Sequence, residues 1–215
     1  MSSGSGLTHV ISLVLAVSAA LLQLALVLLA LLALCSLFSP RARELLIEAR
    51  ETLLGGELWA AAGVAIAATL GSLYFSEVAH FTPCDLCWLQ RVGMYPLVIV
   101  LVAAAIRNDV RRGAIFALPL AGAGALIAIF QIYIGINPSA EPSTCRAGTS
   151  CTTKWIDELG YVTIPVLSLT AFAAVIALML LALSRTRTTP SDPARLSARA
   201  SRAPRTRARS RLPGP

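Results

Sequence analysis

A chain of 215 residues that is 56% hydrophobic and 13% charged, with a mean hydropathy of +0.74, carries more apolar surface than one soluble core can bury. An ordinary soluble domain is excluded, because its apolar runs stop at about 10 to 14 residues, whereas these reach the ~20 that cross hydrocarbon. The formal net charge of +7 is unevenly spread, and that unevenness carries topology.

Five membrane-spanning helices are predicted, making an all-α membrane protein. The first, 10–38, would be about 43 Å long and crosses with tilt to spare. No Lys or Arg precedes it in MSSGSGLTH, and its apolar stretch is about twice that of a signal peptide, so a retained helix is expected. The connector 39–57 mixes charges with leucines, which fits an amphipathic helix or a solvated link equally. The second span, 58–76, carries Gly63, Ala67 and Gly71 at every fourth position, a small-residue stripe read as bundle packing. The third starts beside a CxxC and runs to residue 106, with Pro96 a bend near its outer end. The fourth covers 113–136, with Gln131 a polar side chain whose use the residues leave open. The fifth, 162–183, has Pro165 early, where a missing N–H costs least. Beyond it, 184–215 is arginine-rich and free of aromatics, so a disordered cytoplasmic tail attracted to anionic lipid is expected, with no nucleic acid as partner.

With the amino terminus outside, the inner segments hold Arg41, Arg43, Arg50, Arg107, Arg111, Arg112 and the tail arginines, against Arg91, Arg146 and Lys154 outside. The positive-inside rule then places the loops bearing Cys84, Cys87, Cys145 and Cys151 on the extracytoplasmic side of the membrane, where disulfides persist. Cys35, in the first span, is read as a small buried apolar residue. His9 and His80 are isolated, and no metal is assigned to them. Trp88, Tyr95 and Trp155 are read as an interfacial aromatic belt.

The stretch HFTPCDLCWLQR poses the chemical question. Covalent haem needs CxxCH, but Trp88 stands at the histidine position. Zinc would need Cys145 and Cys151 as further ligands, and their gap suits zinc ribbons poorly. Two structural disulfides remain an alternative. The redox reading rests on a helix starting near Pro83, which would put Cys84, Cys87 and Arg91 on one face, the cysteines in the first turn. A helix amino terminus and a guanidinium both favour thiolate, so one cysteine should be unusually nucleophilic.

The segments GSLYFSEVAHFTPCDLCWLQRVGMYPL and CRAGTSCTTKWIDELGYVTIPVLSL resemble the disulfide bond formation protein B family, DsbB, within it the Gram-positive type called BdbC. The resemblance covers 58–183. It implies a four-helix transmembrane bundle, to which the first span is an extra N-terminal helix, acting as a thiol:quinone oxidoreductase. By that resemblance Cys84 and Cys87 form the quinone-proximal pair, with Cys87 next to quinone and Cys84 exchanging with the other loop. Arg91 matches the arginine that supports quinone reduction, so Cys87 and Arg91 would bind the acceptor. Cys145 and Cys151 would meet a DsbA-like, BdbD-type thiol oxidoreductase, their shorter gap leaving open which is attacked. Menaquinone and ubiquinone are both admissible acceptors. Vitamin K epoxide reductase homologues use similar pieces, but their CxxC follows the loop cysteines, whereas here it precedes them. The alternative is a non-catalytic membrane protein whose loops are stapled by two inert disulfides.

Overall fold

Every long apolar run is helical in the computed structural model, which describes residues 3–52, 55–146 and 149–188. In chain order the helices are α1 (Ser3–Cys35), α2 (Pro40–Thr52), α3 (Glu57–Leu73), α4 (Asp85–Arg107), α5 (Val110–Ile136), the short α6 (Ser143–Arg146) and α7 (Ile164–Thr188). Five of them, α1, α3, α4, α5 and α7, are long and apolar enough to cross a membrane. The protein is an all-α, multi-pass membrane protein. Among the described residues the only β pairing is an isolated bridge between Glu158 and Val162.

Helices α3, α4, α5 and α7 close a ring, each packing on its two neighbours, and α1 lies outside it against α7. Small residues make this possible. Ala61, Ala62 and Ala65 on α3 and Ala114, Ala117 and Ala121 on α5 are buried, so backbones approach closely where lipid offers no hydrophobic drive for association. Leu97, Leu101, Phe172, Val175 and Met179 fill the space between them. Gly124 is needed for this packing: a β-carbon there would sit 2.2 Å from Cζ of Phe172, so the ring rests on bare backbone.

Helix ends depart from the predicted ones for local reasons. Asp109 accepts from the Arg112 backbone N–H at 3.0 Å and starts α5 at Val110, three residues early. Asn108, at φ 50°, closes the tight α4–α5 turn in the left-handed region. The second span stops as an α-helix at Leu73 and continues as a π-helical turn, Tyr74–Val78, where Ser76 Oγ bonds back to the Leu73 carbonyl at 3.2 Å. The connector resolves into helix α2. Helix α7 runs five residues past the predicted end, to Thr188; the rest of the basic tail lies outside the described residues. Pro96 sits inside an uninterrupted α4. Cys35 corrects its prediction: it is exposed at the end of α1, not buried.

Both cysteine-bearing loops, between α3 and α4 and between α5 and α7, emerge at one end of the bundle. The amino-terminal half of α1 reaches the same end, where Ser12 Oγ donates to Glu158 Oε1 at 2.7 Å.

Candidate functional site

Helix α4 begins at Asp85, two residues beyond the expected start near Pro83. Cys84 is the N-cap, in extended conformation, and its sulfur accepts from the Cys87 backbone N–H at 3.4 Å. Only Cys87 therefore lies in the first turn, with Pro83 just outside the helix. The Cys84 and Cys87 sulfurs are unbonded and 2.9 Å apart, so joining them needs little movement. The Cys84 thiol is pushed above its ordinary range, first by its hydrogen bond with the Cys87 side chain, then by burial and by charge on Cys87.

Cys145 and Cys151 are joined in a disulfide, with Cα atoms 5.6 Å apart. That bridge consumes two of the four thiolates the zinc alternative needs. Cys84, Cys145 and Cys151 share one buried cluster with Ile134, and Cys87 packs against it. The two pairs, 58 or more residues apart in sequence at Cys87 and Cys145, thus meet at the head of the bundle.

Gln131 holds them together. Its Nε2 lies 3.3 Å from the Cys84 sulfur, 3.4 Å from the Cys87 sulfur and 3.4 Å from the Cys151 carbonyl oxygen. Its Oε1 accepts from Gln90 Nε2 at 2.6 Å, and Gln90 in turn accepts from the Ser168 hydroxyl. Gln90 and Gln131 are both buried, so this chain satisfies groups that would otherwise be costly in hydrocarbon. The sequence showed Gln131 as a lone amide in an apolar span, a signal that something polar faces it, but not what.

Arg91 is buried one turn below Cys87, at 8% exposure. Its Nε donates to Ser72 Oγ and its Nη2 to the Ser72 carbonyl, and its guanidinium lies over the Trp88 ring, 5.0 Å from the centroid. Among the described residues no carboxylate pairs with it. The cation is therefore held by neutral groups and keeps its field for what lies beside it. Trp88 is exposed and fits an interfacial belt, but its face also serves Arg91. Trp155 stacks on Phe81 at 5.0 Å, and Phe81 on Phe75 at 5.8 Å, a ladder that ties the Cys151 loop to the segment entering the CxxC.

Below the sulfurs opens a cavity of about 410 Å³, bordered by Cys84, Cys87, Arg91 and Gln131 and walled by apolar side chains of α1, α3 and α7. Tyr95 also lines it, so this residue belongs to the cavity as well as to any belt, and among the described residues its buried hydroxyl has no hydrogen-bond partner. The small-residue stripe faces the same space. A β-carbon at Gly63 would meet nothing within 4 Å, and one at Gly71 would meet Leu15 of α1 at 3.3 Å. The stripe is thus a cavity wall toward α1, not a close contact within the four-helix ring. Neither His9 nor His80 lines the cavity, and His80 turns the chain at φ 56°.

Residues 57–184 match the family profile described as disulfide bond formation protein DsbB. A probable disulfide formation protein of Deinococcus radiodurans is 49% identical over 127 residues, covering 54% of this chain and 81% of the relative. Disulfide bond formation protein C of Bacillus subtilis is 42% identical over 131 residues, 58% of this chain and 90% of the relative. A probable disulfide formation protein C 2 of Bacillus anthracis is 42% identical over 116 residues, 54% of this chain and 82% of the relative. No solved structure matches the chain significantly. Helix α1 lies wholly outside the matched segment.

Proposed function

Because the chain belongs to the DsbB family of disulfide bond formation proteins, we propose that it serves disulfide formation by reoxidising a DsbA-like, BdbD-type thiol oxidoreductase and passing the electrons through two cysteine pairs to a membrane quinone. The catalytic core is residues 58–183, and the cysteine loops face the extracytoplasmic side, with the basic tail in the cytoplasm. The observation that carries this reading is the reach of Gln131 to both CxxC sulfurs and to the Cys151 backbone. A pair of inert staples would need no shared polar group.

A partner thiolate attacks the Cys145–Cys151 bridge and forms a mixed disulfide, freeing one loop sulfur. The partner's second thiol resolves it, so the partner leaves as a disulfide and the loop pair as two thiols. These thiols reduce the Cys84–Cys87 disulfide in the same way, one bond breaking as one forms and two electrons moving inward. Both sulfurs of the loop bridge are buried, at 1% and 4% exposure, so docking of the partner must open the loop locally before attack.

The cavity fits a quinone: it is apolar, lies within the helices that cross the membrane, and presents a thiol and a cation along its edge. When bound, quinone supplies the final acceptor for two electrons and two protons. Cys87 holds its sulfur at the cavity border, Arg91 favours negative charge there, and Gln131 orients the sulfurs from above.

The test is turnover of the purified protein in lipid with a reduced DsbA-like partner, following quinone absorbance. Wild type is expected to reduce quinone and Cys87→Ser to abolish it while the loop disulfide still exchanges once with the partner. Equal quinone reduction by Cys87→Ser would overturn the electron path.

A further inference from the structure

Helix α1 is the largest element that the family match leaves unexplained. Its outer side is lipid-facing leucine and valine, including Val14, Leu21, Leu24 and Leu28. Its inner side is different in kind. Thr8, Ser12, Leu15, Ala19 and Gln23 follow at steps of three or four residues and so share one face.

The polar members of that face are anchors. Thr8 hydrogen-bonds the Tyr74 hydroxyl at 3.3 Å, Ser12 donates to Glu158 at 2.7 Å, and Gln23 donates to Thr170 at 2.7 Å while accepting from Tyr161 at 2.9 Å. These bonds reach three separate parts of the core: the end of α3, the loop before α7, and α7 itself. They set the register and rotation of α1, which leucines against lipid cannot do.

The members between the anchors face the cavity. Leu15, Ala19 and Leu22 line it, opposite Gly63, Ala67 and Gly71. Leu15 meets the Gly71 position, and Gly71 adjoins Ser72, which holds Arg91; this turn of α1 is therefore level with the guanidinium. At Gly63 the stripe looks into open space instead. Anchoring and hollow together describe a wall held at a set distance.

We infer that α1 is the outer wall of the acceptor cavity, and that Leu15, Ala19 and Leu22 determine which quinone headgroups fit. The inference rests on the proposed function and adds specificity residues from a helix outside the matched segment. Filling the Ala19 position is the direct intervention, since added side-chain volume takes space that a fitted headgroup would occupy.

The experiment measures binding of a short-chain ubiquinone and a short-chain menaquinone by calorimetry on the full chain in detergent, without turnover. Ala19→Phe is expected to weaken binding about ten-fold or more, whereas Leu21→Phe, on the lipid side, leaves it unchanged. Wild-type affinity in Ala19→Phe, or equal losses in both variants, would overturn the wall. No binding to wild type would instead sink the proposed acceptor, and the specificity role with it. A second readout avoids dependence on the folding of Ala19→Phe. In the reduced Ser12→Ala, Gln23→Ala double variant, a lipid-soluble maleimide should alkylate Cys87 faster than in wild type; an unchanged rate would count against α1 as a barrier.

Discussion

Arg91 grips Ser72 twice, Nε to the hydroxyl and Nη2 to the carbonyl oxygen, each at 2.9 Å. The carbonyl lies where α3 gives way to its π-helical turn, so an irregularity in one helix seats the cation of the next. π-Helical turns recur at functional positions because they re-aim backbone groups in this way.

That fork makes Arg91 a placed charge. Arg91→Ala is expected to slow electron delivery to quinone by about 10²-fold, the scale of losing one preorganised electrostatic donor. Single-turnover exchange with the reduced partner should fall much less. Arg91→Lys should restore little, because an ammonium cannot reproduce two directed bonds and the stack on Trp88. Rapid-mixing kinetics that separate the two steps check this, and equal loss in both steps would refute the assigned role.

Gln131 makes a different prediction. An amide donor beside two sulfurs favours their reduced form, and Gln131→Leu removes it while leaving Gln90 short of a partner. The Cys84/Cys87 couple should become harder to reduce, by about 30 mV for each ten-fold change in its equilibrium constant. Transfer between the two cysteine pairs should slow as well. Thiol trapping in graded redox buffers measures the potential, and an unshifted value would reduce Gln131 to packing.

The fold itself is tested at Gly124. Even Gly124→Ala forces Phe172 off its seat, with an expected loss of about 1–3 kcal/mol. Gly122→Ala, where a β-carbon meets nothing within 4 Å, is the control and should leave thermal unfolding in detergent unchanged. Equal stability of the two variants would show that α5 and α7 do not pack as described.

The one-dimensional pattern was enough for the helices, because hydrocarbon demands long apolar runs and few other arrangements satisfy the backbone there. The motif around Cys84 and Cys87 was likewise legible, since its meaning depends on residues three and four positions apart. Helix ends were read less well: Asp109 and Cys84 decide them by single capping bonds that composition does not display.

What no pattern along the chain could supply was the partner of each isolated polar residue. Gln131 sits 47 residues from Cys84, Arg91 19 from Ser72, and Gln23 147 from Thr170. Such pairings exist only once helices have chosen their neighbours and rotations, and the same choice turns the Gly63, Ala67 and Gly71 stripe from a packing motif into the wall of a cavity. Local chemistry is written in short spacings, whereas the site that joins two sulfur pairs, a cation and a hollow between helices is a product of packing at long range.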